Sequence, residues 1–154
     1  MQIRLEAPDQ PELVALIGEL DAYQTALYPA ESNHLVDLAT LCEPRVLFAV
    51  ARNAAGGAVD CGAVVAAAAG ADGELKRMFV SPRCRGHGIA KALLDVLERE
   101  ARERGCRVLR LETGIRQPEA LGLYAACGYA RCAAFGDYPA DDPLSVFMHK
   151  RLDD

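Results

Sequence analysis

The chain has 154 residues, 51% of them hydrophobic and 25% charged, the make-up of a globular protein long enough to bury a core, and it reads as a single domain over 1–154. A net charge of −5 and a pI of about 5.2 lack the basic surplus of a nucleic-acid binder. No apolar run is long enough to cross a bilayer, and the opening MQIRLEAPDQ lacks the charged-then-apolar order of a signal peptide, so a cytoplasmic protein without membrane association is expected.

Taken in order, Ile3 to Glu6 alternates and reads as a strand. Ala7-Pro8-Asp9 is a turn, with Asp9 an N-cap for a helix marked by Leu13, Leu16, Ile17 and Leu20. A loop from Ala22 to His34 follows, then a helix from about Ser32 to Leu41 that Pro44 breaks. Val46 to Arg52 is a strand, Asn53 to Gly57 a hairpin turn, and Val59 to Ala69 the returning strand. Gly70 to Gly73 turns into a strand from Glu74 to Val80, which Ser81-Pro82 ends.

Next comes a basic, glycine-bearing turn, Arg83 to Gly88. An amphipathic helix begins behind it. Ile89, Leu93, Val96, Leu97 and Ala101 recur at helical spacing, while Lys91, Asp95, Glu98, Arg99 and Arg102 fill the other face, and Gly105 stops it. Arg107 to Thr113 is a strand, Gln117 to Cys127 a helix ended by Gly128, and Tyr129 to Phe135 and Pro143 to Lys150 are the last strands. The order βααβββαβαββ implies an α/β fold: a mixed sheet with helices on both faces.

The six cysteines form no C-x-x-C, and no histidine sits at metal spacing from them. They read as reduced thiols, and no metal is expected.

The stretch with chemistry in it is ELKRMFVSPRCRGHGIAKALLDVLEREA, Glu74 to Ala101. A strand, a glycine turn and a helix N-terminus make an anion-binding device. The first helical turn has N–H groups without helical partners and the positive end of the dipole, glycines admit a phosphate to the backbone, and Arg83 and Arg85 add charge. No G-x-x-x-x-G-K-[ST] is present, and Lys91 breaks the G-x-G-x-x-G/A fingerprint. Arg85-Gly86-His87-Gly88-Ile89-Ala90 fits the pattern Q/R-x-x-G-x-G/A, with Arg83 to Gly88 a second fit.

That pattern, and the wording RGHGIAKALL around it, resembles the acetyl-CoA loop of the GNAT N-acetyltransferases. Downstream, LETGIRQPEALGLYAACGY resembles the second signature of the same family, with Gln117, Ala120, Tyr124 and Gly128-Tyr129 at the right spacing and Gln117 in place of the more usual Asn. The resemblance covers essentially the whole chain and implies the GNAT fold. It implies transfer of acetyl from acetyl-CoA to an amine through a ternary complex.

By that resemblance, Met78, Phe79 and Val80 hold the acetyl and pantetheine arm, and Arg85, Gly86, His87, Gly88, Ile89 and Ala90 hold the pyrophosphate. Gln117 offers the cofactor an amide, one methylene farther out than Asn, and Tyr124 stands near sulfur as general acid. Glu74 falls at the position some members use as general base. Glu112 is the competing carboxylate, and strand alternation sets it beside Arg110 as an ion-pair partner. The acceptor is expected to be a small-molecule amine, held by the loop bearing Tyr28 and Glu31 and by Glu112, with Phe135 to Pro139 closing the other side. Two other readings stay open, a CoA-binding sensor without catalysis and an enzyme acting on proteins. Pairing of two copies into a homodimer also stays open.

Overall fold

The structure is a computed structural model and describes residues 1–29, 37–67, 71–78 and 88–152. The elements are β1 (Gln2–Leu5), α1 (Pro11–Leu27), α2 (Leu38–Leu41), β2 (Val46–Arg52), β3 (Ala58–Ala66), β4 (Asp72–Lys76), α3 (Ile89–Glu103), β5 (Val108–Gly114), α4 (Pro118–Ala126), β6 (Ala130–Arg131) and β7 (Ser145–Arg151). This is the expected order. The strands form one seven-stranded sheet in the order β1-β2-β3-β4-β5-β7-β6.

Several boundaries differ, each for a local reason. The expected loop from Ala22 is helical as far as Leu27, because nothing before Pro29 breaks the helix. Proline forces the residue before it out of the helical region, and Tyr28 is extended at ψ 147°. The N-cap of α1 is Gln10, not Asp9; Pro11 takes the first helical position, where its missing N–H costs nothing. The helix expected from Ser32 is seen only as α2, whose Asp37 caps it by accepting from the Thr40 N–H at 2.9 Å; the earlier residues lie outside the described ones. β4 starts two residues early and ends at Lys76. β6 has two paired residues, because only Ala130 and Arg131 face β7 partners.

The sheet separates two apolar layers. On β2, Leu47, Ala49 and Ala51 face one layer and Phe48 and Val50 the other, as period-2 alternation requires. The first layer is closed by Leu93, Leu94 and Leu97 of α3 and by Ala120 and Tyr124 of α4. The second is closed by Leu13, Leu16, Ile17 and Leu20 of α1 and Leu41 of α2. Among the described residues, no helix is long and apolar enough to cross a membrane.

α3 and α4 end in the same way. Gly105 (φ 89°) and Gly128 (φ 97°) take the left-handed conformation that lets the chain turn off a helix. The Cys106 N–H reaches back to the Ala101 carbonyl, and the Tyr129 N–H to that of Tyr124, both at 3.0 Å. These are Schellman closures, and in α4 the apolar contact that accompanies one is Tyr129 edge-on to Tyr124. The Tyr129 hydroxyl then donates to Glu98 of α3 at 2.9 Å, and Lys150 of β7 donates to the other oxygen at 2.9 Å.

Glu98 is only 6% exposed, so its removal would strand a buried hydroxyl. Glu98→Ala should destabilise the fold by about 1–3 kcal/mol. Chemical unfolding would show this as a lower midpoint at unchanged slope. Combined with Tyr129→Phe the loss should be less than the sum, since both variants remove one bond.

Candidate active site

Among the described residues β4 and β5 are the one parallel pair, registered from Asp72↔Val108 to Leu75↔Leu111. Parallel strands need a crossover, and α3 supplies it. Beyond Leu111 the two strands part. β5 stays with β7 as far as Gly114↔Ser145, while the pairing of β4 with β3 stops at Ala63↔Lys76. Arg77 then takes φ 56°, a left-handed conformation costing a non-glycine residue about 1–2 kcal/mol. The Arg77 side chain is 5% exposed and pairs with Asp21 of α1. The exit of β4 is thereby tied to the helix covering the second layer.

The gap is a cleft at the carboxyl ends of the strands, where open α/β sheets bind ligands. It spans about 540 Å³ of space, part of it open solvent, and residues of both faces of the sheet line it. Leu75, Leu111 and Tyr124, which line it, belong to the α3–α4 layer. Lys76 and Glu112 alternate to the other face, where Gln24 of α1 joins them. Met78, Thr113 and Gln117 complete the wall.

Of the residues expected to serve the site, Met78, Glu112, Gln117 and Tyr124 meet here. Gly88, Ile89 and Ala90 begin α3. Gly88 is its N-cap at φ 71°, and an added Cβ would meet nothing within 4 Å, so glycine is required there for its backbone conformation rather than for room. Ile89 and Ala90 are buried, and they begin the first turn, whose N–H groups have no partner within the helix. Phe79, Val80, Arg85, Gly86, His87 and Glu31 lie outside the described residues.

Tyr124 is 4% exposed and stands one turn before the end of α4, held by its edge contact with Tyr129 (ring centres 5.8 Å apart). Burial pushes its hydroxyl well above the usual phenol range, so it stays protonated. Gln117 is the N-cap of α4. Its side chain does not cap the helix; its Oε1 accepts from the Tyr28 hydroxyl at 3.2 Å. Tyr28 is not among the residues that line the cleft.

The two carboxylates differ. Glu112 lines the cleft, and burial pushes its carboxyl up to about 7. The Ser145 hydroxyl donates to it at 2.7 Å and, with Lys76, pulls the other way; Asp142 and Glu74 add to the rise. The expected ion pair with Arg110 is not formed. Arg110 turns to Asp72 at 3.3 Å, two residues before its own partner Glu74 in the β4 register. Glu74 shares the face of Glu112 but is not among the residues lining the cleft. It sits 3.1 Å from the Lys76 ammonium and accepts from the Tyr138 hydroxyl. Tyr138 is fixed by edge-on contacts with Phe135 and Phe147 (ring centres 5.4 and 5.6 Å apart). Part of the Phe135 to Pro139 segment thus packs over Glu74.

Sequence reasoning missed Lys76, Thr113 and Ser145, and held Gln24 only as a member of the acceptor loop from Ala22 to His34. Lys76 was legible by alternation: Glu74-x-Lys76 and Arg110-x-Glu112 on neighbouring strands put four charges on one face. Ser145 carried no local signal.

Residues 14–129 match the family described as Acetyltransferase (GNAT) family. An IAA acetyltransferase of Azospirillum brasilense is 49% identical over 97% of this chain and 97% of its own length. The uncharacterized N-acetyltransferase YsnE of Bacillus subtilis is 34% identical over 99% and 100%. A solved structure from Klebsiella pneumoniae, described as an acyl-CoA N-acyltransferase, is 41% identical, superposes with a TM-score of 0.81 and is covered to 97%, with 98% of this chain. An aminoglycoside 6′-N-acetyltransferase complexed with coenzyme A shares the fold at TM-score 0.75 and 16% identity, over 99% of this chain and 97% of its own.

Glu112 yields a stability prediction. Its folded-state carboxyl lies near 7, above the ordinary 4.5, so keeping it ionised in the fold is unfavourable. That cost is absent below about 4.5 and complete above about 7. Glu112→Gln removes it. Thermal melts should show Glu112→Gln gaining Tm over the parent as pH rises through that window, with no gain at pH 4.

Proposed function

The chain belongs to the acetyltransferase (GNAT) family and is an N-acetyltransferase, and from that premise we propose that it moves acetyl from acetyl-CoA directly to the amine of a small-molecule acceptor, both bound at once. The observation behind this reading is a cleft lined from both faces of the sheet, with Tyr124 in one layer and Glu112 on the opposite face. Two substrates entering from opposite faces can meet there without exchanging places.

Acetyl-CoA supplies an acyl group already activated as a thioester. The residues present fit it: two parted strand ends, an amide at Gln117, and a glycine-capped helix start at Gly88 for a pyrophosphate. Holding both reactants in one orientation supplies much of the rate. In our reading the cleft-lining carboxylate, not Glu74, is the base. Glu112 takes the proton of the acceptor's ammonium, and a carboxylate near 7 is matched to that work at neutral pH. Tyr124 keeps its proton until a thiolate forms beside it. The burial that makes its phenol a weaker acid also makes a thiolate there a stronger base, so the transfer remains balanced. Glu74 fixes Lys76 and Tyr138 at the acceptor side. The name of the relative at 49% identity makes IAA the first acceptor to try, beside a panel of small amines.

Thiol release from acetyl-CoA tests the assignment. The parent's kcat/KM should rise with pH through about 7 as Glu112 ionises. Glu112→Gln should lower it by roughly 10²–10⁴-fold and remove that limb. Glu74→Gln should keep most of the activity; an inactive Glu74→Gln beside an active Glu112→Gln would exchange the two roles.

Tyr124→Phe keeps the ring and deletes the hydroxyl. It should bind acetyl-CoA like the parent and turn over roughly 10²–10⁴-fold more slowly. Parental turnover with chemistry rate-limiting would return Tyr124 to a packing role.

A further inference from the structure

Tyr28 ends α1, and its ring is buried at 5% exposure against the end of β5. A Cβ on Gly114 would overlap the Tyr28 hydroxyl and ring, so that glycine is the space the tyrosine fills. The hydroxyl accepts from the Arg116 N–H at 3.1 Å and donates to Gln117 Oε1 at 3.2 Å. The Arg116 side chain closes the arrangement by donating to the Leu27 carbonyl at 2.6 Å. The end of α1 is thus clamped to the turn between β5 and α4.

An amide has two ends. With Oε1 turned to Tyr28, the Nε2 end of Gln117 is left as the donor for the cleft that this residue lines. A free glutamine side chain has three torsions to fix; one bond to a buried hydroxyl fixes most of them.

We propose that Tyr28 is a positioning residue, which turns the Gln117 amide so that its N–H groups hold a carbonyl oxygen of the acetyl-CoA arm. The inference rests on the acetyl-CoA reading of the cleft. It makes Tyr28 a link from the acceptor-side helix to the cofactor, rather than a residue the acceptor touches.

Calorimetry with acetyl-CoA tests it without a known acceptor. Tyr28→Phe keeps the ring and should weaken binding roughly threefold to tenfold. Some loss of Tm accompanies any role, because Arg116 loses an acceptor, but affinity moves only if Tyr28 acts through Gln117. In a Gln117→Ala background, Tyr28→Phe should change affinity no further. Gln117→Glu keeps an acceptor for the hydroxyl and removes both N–H groups; it should bind as weakly as Gln117→Ala with near-parental Tm.

Parental affinity in Tyr28→Phe beside a weakened Gln117→Ala would overturn the inference. So would an equal Tyr28→Phe loss in both backgrounds. Should Tyr28→Phe fail to fold, parental affinity in Gln117→Glu overturns it alone. A parent chain that does not bind acetyl-CoA removes the underlying reading and this inference with it.

Discussion

The parting of β4 from β5 is the constraint on which the rest of the molecule depends. Two parallel strands can share a ladder only while both stay extended in register, and β4 leaves that state at Lys76. The backbone turn at Arg77 sits in an unfavourable region, so something must hold it there. The Arg77–Asp21 pair does this from α1, and the β5–β7 ladder holds the other lip of the cleft straight as far as Gly114. Because the sheet is covered on both faces, a gap between two of its central strands opens toward both layers.

The walls of that gap combine groups that are poor for stability with supports that are rigid. A half-buried carboxyl at Glu112 and a left-handed Arg77 both work against folding. Around them, α4 is closed by a Schellman turn whose aromatic contact fixes Tyr124, and Glu98 joins α3 to the end of α4 and to β7. Tyr124 and Glu112 therefore approach the cleft from elements that cannot easily shift. The opposite face is built differently. There Tyr138 comes from the segment between β6 and β7 and is held by two phenylalanines, Lys76 and Glu74.

The two carboxylates show how environment separates chemically equal groups. Glu74 and Glu112 occupy one face of neighbouring strands. Glu74 has a cation and a phenol against it. Glu112 has a serine hydroxyl, and burial pushes its carboxyl up to about 7. Nothing in the residues flanking them in sequence marks this difference. It arises from what β7 and the segment before it bring over each residue.

From sequence alone, the order of elements, the helix stops at Gly105 and Gly128, the loop signature ending at Gly88-Ile89-Ala90, and the Gln117-to-Tyr129 signature were all legible. Each is a local pattern: alternation, a 3.6-residue repeat, a glycine where φ must be positive, or a motif a few residues long. What only the tertiary structure decided are meetings between distant positions: Ser145 with Glu112 at 33 residues' separation, Tyr138 with Glu74 at 64, and Tyr28 with Gln117 at 89. Alternation did place Glu112 on a face with Arg110, yet Arg110 bonds Asp72 because β4 runs parallel to β5 in a register no short pattern encodes. Periodicity along a chain reports which way a side chain points relative to its own backbone. Which partner stands there is set by strand register and helix placement, and those follow from burying both faces of the whole sheet at once.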